Sequence, residues 1–179
     1  TYQVRVETGV EDALENNMTS QYTHSNAFRT SAFPSSTPTS GVFTAVGLRG
    51  TNFRSIDNGT SWDNETCQIL TDLYGVTSGD NTFVAVGSSG KIIISTDDGS
   101  SWDNATAVNS NYLYGVTFGN NTFVAVGSSG TILTSANNGA SWSNSSPGGN
   151  TLYGVTFGNN IFMAVGDGGR ILTSANNGA

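Results

Sequence analysis

The chain has 179 residues, a formal net charge of −7 and only 11% charged residues, against about 25% in an ordinary soluble domain. Six Lys and Arg in all cannot neutralise a phosphate backbone, which argues against nucleic acid as a partner, and no apolar run reaches the ~18 residues of a spanning helix. Cys67 has no second cysteine to pair with and His24 is the only histidine, so an intramolecular disulfide and a multi-histidine metal site are both excluded.

Residues 1–41 form an N-terminal extension. Residues 1–8 alternate, with Tyr2, Val4 and Val6 on one face, and predict a strand. A short helical turn is expected over 11–17. His24 lies in the polar stretch 21–26 and reads as a solvated loop residue. Residues 32–41 are rich in Ser, Thr and Pro and read as a linker. The chain opens on Thr1 rather than Met, as a processed or trimmed product would.

From residue 42 onward the chain repeats itself. Trp62, Trp102 and Trp142 stand 40 residues apart. Gly47, Gly87, Gly127 and Gly166 fall in register, with spacings of 40, 40 and 39. The units are 42–72, 73–112, 113–151 and 152–179. Each predicts four short strands, as in LYGVTF, TFVAVG, TILTS and SWSNS of the third unit, with Gly-Asn-Asn, Gly-Ser-Ser-Gly and Asn-Asn-Gly turns between them. The first unit shows only its later strands, and the fourth lacks its outer one. The run Phe-Val-Ala-Val is apolar on both sides of the pleat, so its sheet must be covered on both faces. Sheets stacked around an axis achieve that. The expected fold is therefore all-β: a propeller of about four four-stranded blades, or more in a longer protein.

Ser55 to Trp62 and Ser95 to Trp102 both fit S-x-D-x-G-x-[ST]-W. This motif resembles the Asp-box of BNR-repeat propellers, a group that includes sialidases, photosystem II assembly factor-like propellers and bacterial surface repeat proteins. The resemblance covers about residues 42–179. The third copy carries Asn137 where Asp is expected, and the fourth carries Asn176 with no Trp before Ala179. In that family the box is structural, which makes Asp57, Gly59, Trp62, Asp97, Gly99, Trp102, Asn137, Gly139 and Trp142 turn residues rather than catalysts. The physics agrees: a carboxylate or amide oxygen accepts from the turn's own N–H groups, Gly takes the left-handed conformation, and Trp pins the turn.

A sialidase-like enzyme needs an arginine cluster for the substrate carboxylate, and an acid and a nucleophile. The five arginines, Arg5, Arg29, Arg49, Arg54 and Arg170, show no such grouping in the sequence, and every Glu lies at or before Glu65. No catalytic residue, cofactor or metal ligand is therefore assigned. Asp97, Asp98 and Asp103 lack the spacing of a calcium loop. The glycines at 166–169 open no helix, so they make no nucleotide fingerprint. Six N-x-[ST] sequons occur, at Asn17, Asn58, Asn64, Asn104, Asn120 and Asn144. With 20 Asn and 46 Ser or Thr, chance gives about five, so their number implies nothing.

Two features point to binding or assembly. Tyr74, Tyr114 and Tyr153 recur near the start of the innermost strand, where they either pack in the channel or form a contact ring for glycan or peptide. Strand 1–8 (Tyr2, Val4, Val6) is spare. It closes the ring in its own chain, joins a neighbouring copy by strand donation, or stands apart from blades still to come. The expected function is a non-enzymatic, secreted or cell-surface scaffold for adhesion or for protein or glycan contact. The alternative is a self-assembling subunit of a surface layer or filament.

Overall fold

The computed structural model describes residues 41–176, apart from 67–69 and 106–107, together with two short strands nearer the N-terminus. The chain divides into two compact units, Thr1–Thr39 and Ser40–Ala179.

In the first unit, β1 (Arg5–Val6) pairs antiparallel with β2 (Tyr22–Thr23), Val6 opposite Tyr22. Tyr22 and Thr23, within the polar stretch 21–26, are thus strand, paired with a segment distant in sequence that no local alternation announces. Tyr2, Val4, the turn expected at 11–17, His24 and Cys67 lie outside the described residues.

The second unit is four antiparallel sheets in chain order. They are β3–β5 (Phe43–Val46, Thr51–Ser55, Asp63–Thr66), β6–β9 (Leu73–Gly79, Thr82–Gly87, Ile92–Ser95, Asp103–Asn104), β10–β13 (Leu113–Gly119, Thr122–Gly127, Ile132–Ser135, Ser143–Asn144) and β14–β16 (Leu152–Gly158, Ile161–Gly166, Arg170–Ser174). Among the described residues the second and third blades have four strands, the first and fourth have three, and no α-helix occurs.

Local chemistry sets each turn. Asp80-Asn81, Asn120-Asn121 and Asn159-Asn160 all have positive φ at both positions. That is the two-residue hairpin turn whose twist suits antiparallel strands, and Asn and Asp tolerate it best after Gly. The next connection is a tight 3₁₀ turn at Leu48–Gly50, Ser88–Gly90, Ser128–Gly130 and Asp167–Gly169.

The third connection is the Asp-box. Asp57 Oδ1 accepts from Ser61 N at 2.9 Å and Ser55 Oγ at 2.8 Å, and Oδ2 accepts from Ser61 Oγ at 2.6 Å. Asp97 repeats this with Ser95 and Ser101. Asn137 Oδ1 still accepts from Ser135 Oγ and from Ser141 N, and its Nδ2 donates to Ser141 Oγ at 2.8 Å. The amide therefore replaces the carboxylate by reversing one hydroxyl. Each Trp indole donates to the carbonyl of its own box glycine: Trp62 to Gly59, Trp102 to Gly99 and Trp142 to Gly139.

Blades stack face to face. Val84, Val86 and Ile92 of the second blade bury against Phe123, Ala125 and Leu133 of the third, with Trp142 completing the cluster. Val124, Val126 and Ile132 meet Phe162, Ala164 and Leu172 in the same way. Each fully buried side chain of this kind contributes about 1.5–3 kcal/mol. The first interface differs. Thr44 and Asn52 stand where Val and Ile stand in the second and third blades. Thr44 Oγ1 donates to Asn52 Oδ1 at 2.9 Å, and the buried Asn52 Nδ2 has no hydrogen-bond partner among the described atoms.

Two predictions follow from this packing. Hydrogen bonds from Ser61 and Ser101 hold the Asp57 and Asp97 carboxyls down at about 2, below the ordinary value of about 3.9. A depressed carboxyl contributes stability above its unfolded pKa and loses it as the pH falls through the folded one. Thermal stability should therefore fall between pH ~4 and ~2, less so in an Asp57→Asn/Asp97→Asn variant; equal slopes would refute the assignment. Separately, the pair Thr44→Val and Asn52→Ile should stabilise by about 1 kcal/mol, whereas destabilisation in urea would show that the polar pair is needed.

Candidate functional site

The register fixes which end of the blades carries what. Leu73 lies opposite Gly87, and Phe83 lies opposite Ser95. The start of the inner strand and the 3₁₀ turn thus share one end, and the Asp-box projects from the other. The box residues and the tyrosines are separate features.

Tyr74, Tyr114 and Tyr153 are the second residues of β6, β10 and β14. Their rings form a continuous ladder, with centroids 5.6 Å apart from Tyr74 to Tyr114 and 5.4 Å from Tyr114 to Tyr153. Tyr112 joins it, 6.5 Å from Tyr74 and 6.4 Å from Tyr114. Tyr74, Tyr112 and Tyr153 are exposed and Tyr114 is half-buried. The tyrosines pack on one another along one end of the described blades.

The backbone explains the spacing. A Cβ on Gly75 would lie 3.2 Å from the Tyr114 carbonyl oxygen, and one on Gly115 would lie 3.1 Å from that of Tyr153. Glycine lets neighbouring inner strands approach this closely, and the preceding tyrosines are drawn into ring contact.

Carboxylates rim the ladder. Tyr153 Oη donates to Asp167 Oδ2 at 3.3 Å. The Asp167 charge, then desolvation, raises the Tyr153 phenol above its usual range. Tyr74 is raised first by desolvation and then by Asp72 and the neighbouring phenols. Both rings stay protonated donors at neutral pH. Asp72 Oδ1 accepts from Arg49 N at 2.9 Å, at the positive-φ position of its 3₁₀ turn.

Arg54 and Arg170 lie at opposite ends of their blades. Arg54 Nε donates to Asp98 O at 2.6 Å at the Asp-box end, while Arg170 Nη1 donates to Gly148 O at 2.7 Å. No grouping of three His, Cys, Asp or Glu able to hold a metal occurs among the described residues. Asp97 spends both oxygens inside its own turn. An apolar cavity of about 230 Å³ lies between the third and fourth blades, lined by residues such as Val126, Ile132, Phe162 and Leu172 and by no ionisable group. The five described sequon asparagines, Asn58, Asn64, Asn104, Asn120 and Asn144, are all exposed.

Tyr112 escaped the sequence argument because it is not a repeat position. Its counterparts are Asp72 and Thr151. That irregularity was the available signal, since a residue that breaks a repeat owes nothing to the shared packing.

No family model and no curated protein sequence matches this chain. Solved structures do. YCF48 bound to D1 peptide superposes with a TM-score of 0.62 at 18% identity, over 75% of this chain and 46% of that one. The computationally designed Ika4 protein gives 0.61 at 14% identity, over 74% and 84%. The GH74 enzyme of Niastella koreensis gives 0.54 at 24% identity, over 88% and 26%. The fold is that of a β-propeller. The match takes in less than half of the YCF48 chain.

Replacing Gly115 by Ala should push the inner strands of the third and fourth blades apart and cost about 1–3 kcal/mol, the range for overpacking a tight contact. Urea denaturation reads the cost, and loss of the near-ultraviolet tyrosine signal reads the opened ladder. An unchanged midpoint would show that the strands absorb a methyl group freely.

Proposed function

We propose that this protein is a non-enzymatic binding scaffold, working outside the cell, whose tyrosine ladder receives an extended segment of a protein partner. The carrying observation is the run Tyr74–Tyr112–Tyr114–Tyr153, exposed except for the half-buried Tyr114, with adjacent rings in contact. Tyrosine offers a large, rigid contact area with a polar tip at low entropic cost, and for that reason is favoured where proteins bind one another. Asp72 and Asp167 beside the ladder suit a segment carrying basic or hydrogen-bond-donating groups. The fold likeness to YCF48, solved with a bound peptide, is consistent with this use of a propeller. Planar tyrosine faces also suit sugar rings, so a glycan is the second reading.

Peptides selected from a random display library against the whole chain should bind at the ladder. Tyr114→Ala and Tyr153→Ala should each weaken binding by about tenfold or more, as central aromatic contacts do, with circular dichroism unchanged. Asp57→Asn, at the far end of the blade, should leave affinity intact. Peptides indifferent to every tyrosine substitution would sink the proposal, and binding on a glycan array with no peptide binding would favour the second reading.

A further inference from the structure

A phenol can lose one electron and its hydroxyl proton, and two such radicals join through the ring carbons beside the hydroxyl. Three conditions decide where a folded protein does this: rings already in contact, a base to take the proton, and access for an oxidant. The tyrosine ladder meets all three.

Tyr114 and Tyr153 have the shortest separation among the four rings, 5.4 Å between centroids with the planes at 46°. The main-chain approach at Gly115, where a Cβ would lie 3.1 Å from the Tyr153 carbonyl oxygen, keeps their strands close. Those strands, β10 and β14, belong to different sheets. Tyr153 Oη donates to Asp167 Oδ2 at 3.3 Å. A phenol stripped of an electron is a strong acid, so a carboxylate on its hydroxyl takes the proton as the electron leaves. Tyr74 and Tyr112 are 39% and 46% exposed, so an oxidant reaches the ladder at the inner blades. Their centroids lie 5.6 and 6.4 Å from that of Tyr114. An electron vacancy opened on either ring therefore passes through Tyr114 and settles at Tyr153, where a proton acceptor is already in place.

We propose that Tyr114 and Tyr153 form an oxidative cross-linking site, which joins the third and fourth blades by a carbon–carbon bond. The oxidant is hydrogen peroxide acting through a haem peroxidase. Each tyrosine gives up one electron and its hydroxyl proton, that of Tyr153 passing to Asp167. The radicals couple Cε to Cε, and the hydrogen on each coupled carbon moves to its oxygen, restoring both phenols. Two electrons and two protons leave the protein in all, and they reduce one hydrogen peroxide to two waters. The product is a dityrosine tie between sheets, a restraint on the unfolded chain of the kind a disulfide imposes.

The test treats the full chain, at low micromolar concentration, with one equivalent of hydrogen peroxide and a catalytic amount of haem peroxidase. The expected product has dityrosine fluorescence in the monomer band and a mass lower by two hydrogens. Its peptic digest should contain a peptide pair joined at Tyr114 and Tyr153, and it should unfold at higher urea concentration than the untreated protein. The same treatment in urea should show no preference for this pair, since only the fold brings the two rings together. Tyr114→Phe and Tyr153→Phe should each remove the linked pair with circular dichroism unchanged, because phenylalanine keeps the ring and lacks the oxidisable hydroxyl. Asp167→Asn, whose amide oxygen still accepts the hydrogen bond but not the proton, should slow cross-linking by about tenfold or more; Asp167→Glu should restore part of the rate. Linked pairs that omit Tyr114 or Tyr153, cross-links found only between molecules, or a yield indifferent to both phenylalanine substitutions would overturn the proposal. An unchanged rate in Asp167→Asn would overturn the role given to its carboxylate.

Discussion

The close approach of adjacent inner strands is the constraint on which the rest of the second unit depends. Side chains are absent from the contact at Gly75 and Gly115, and main-chain carbonyls come within 3.2 and 3.1 Å of where a Cβ would stand. That closeness at the inner edge lets the outer strands splay and leaves between them the space that Phe123, Leu133 and Trp142 fill. It also sets the distance between successive tyrosines. Packing and recognition surface thus arise from one feature, so a substitution chosen to probe one will disturb the other.

The blades are alike in backbone and unlike in what fills them. The interfaces flanking the third blade are wholly apolar at their centres, whereas the first contains Thr44 and Asn52. A buried polar pair contributes less than the aliphatic pair it replaces. Arg54 compensates in part, its Nε reaching the Asp98 carbonyl of the neighbouring blade. The first blade is therefore attached by more directional and weaker contacts than its successors.

Much of this was legible in the sequence. The 40-residue period, the doubly apolar Phe-Val-Ala-Val strands and the box residues specify the blade, because each is a local pattern with a local cause. The Asn137 turn was legible too, since an amide oxygen accepts where a carboxylate would. The ladder was legible only as recurrence: Tyr74, Tyr114 and Tyr153 could be aligned, but whether they packed inward or stood exposed depended on how far the neighbouring strands turn. Tyr112 was hidden because its position has no counterpart of the same kind. The pairing of Val6 with Tyr22 was hidden because a two-residue ladder between distant segments leaves no periodicity.

Among the described residues each blade packs chiefly against the blades before and after it, and this shapes how these blades come apart. Among the four described blades, releasing the first or fourth sacrifices one of the interfaces seen here, while releasing the second or third sacrifices two. Stability in such an array is a sum over neighbours, and opening proceeds inward from the ends. Amide protons of β7 and β11, covered on both faces, should be the slowest to exchange with solvent. Those of β4 and β16 should exchange first, so that the molecule frays from its tips while its centre stays intact.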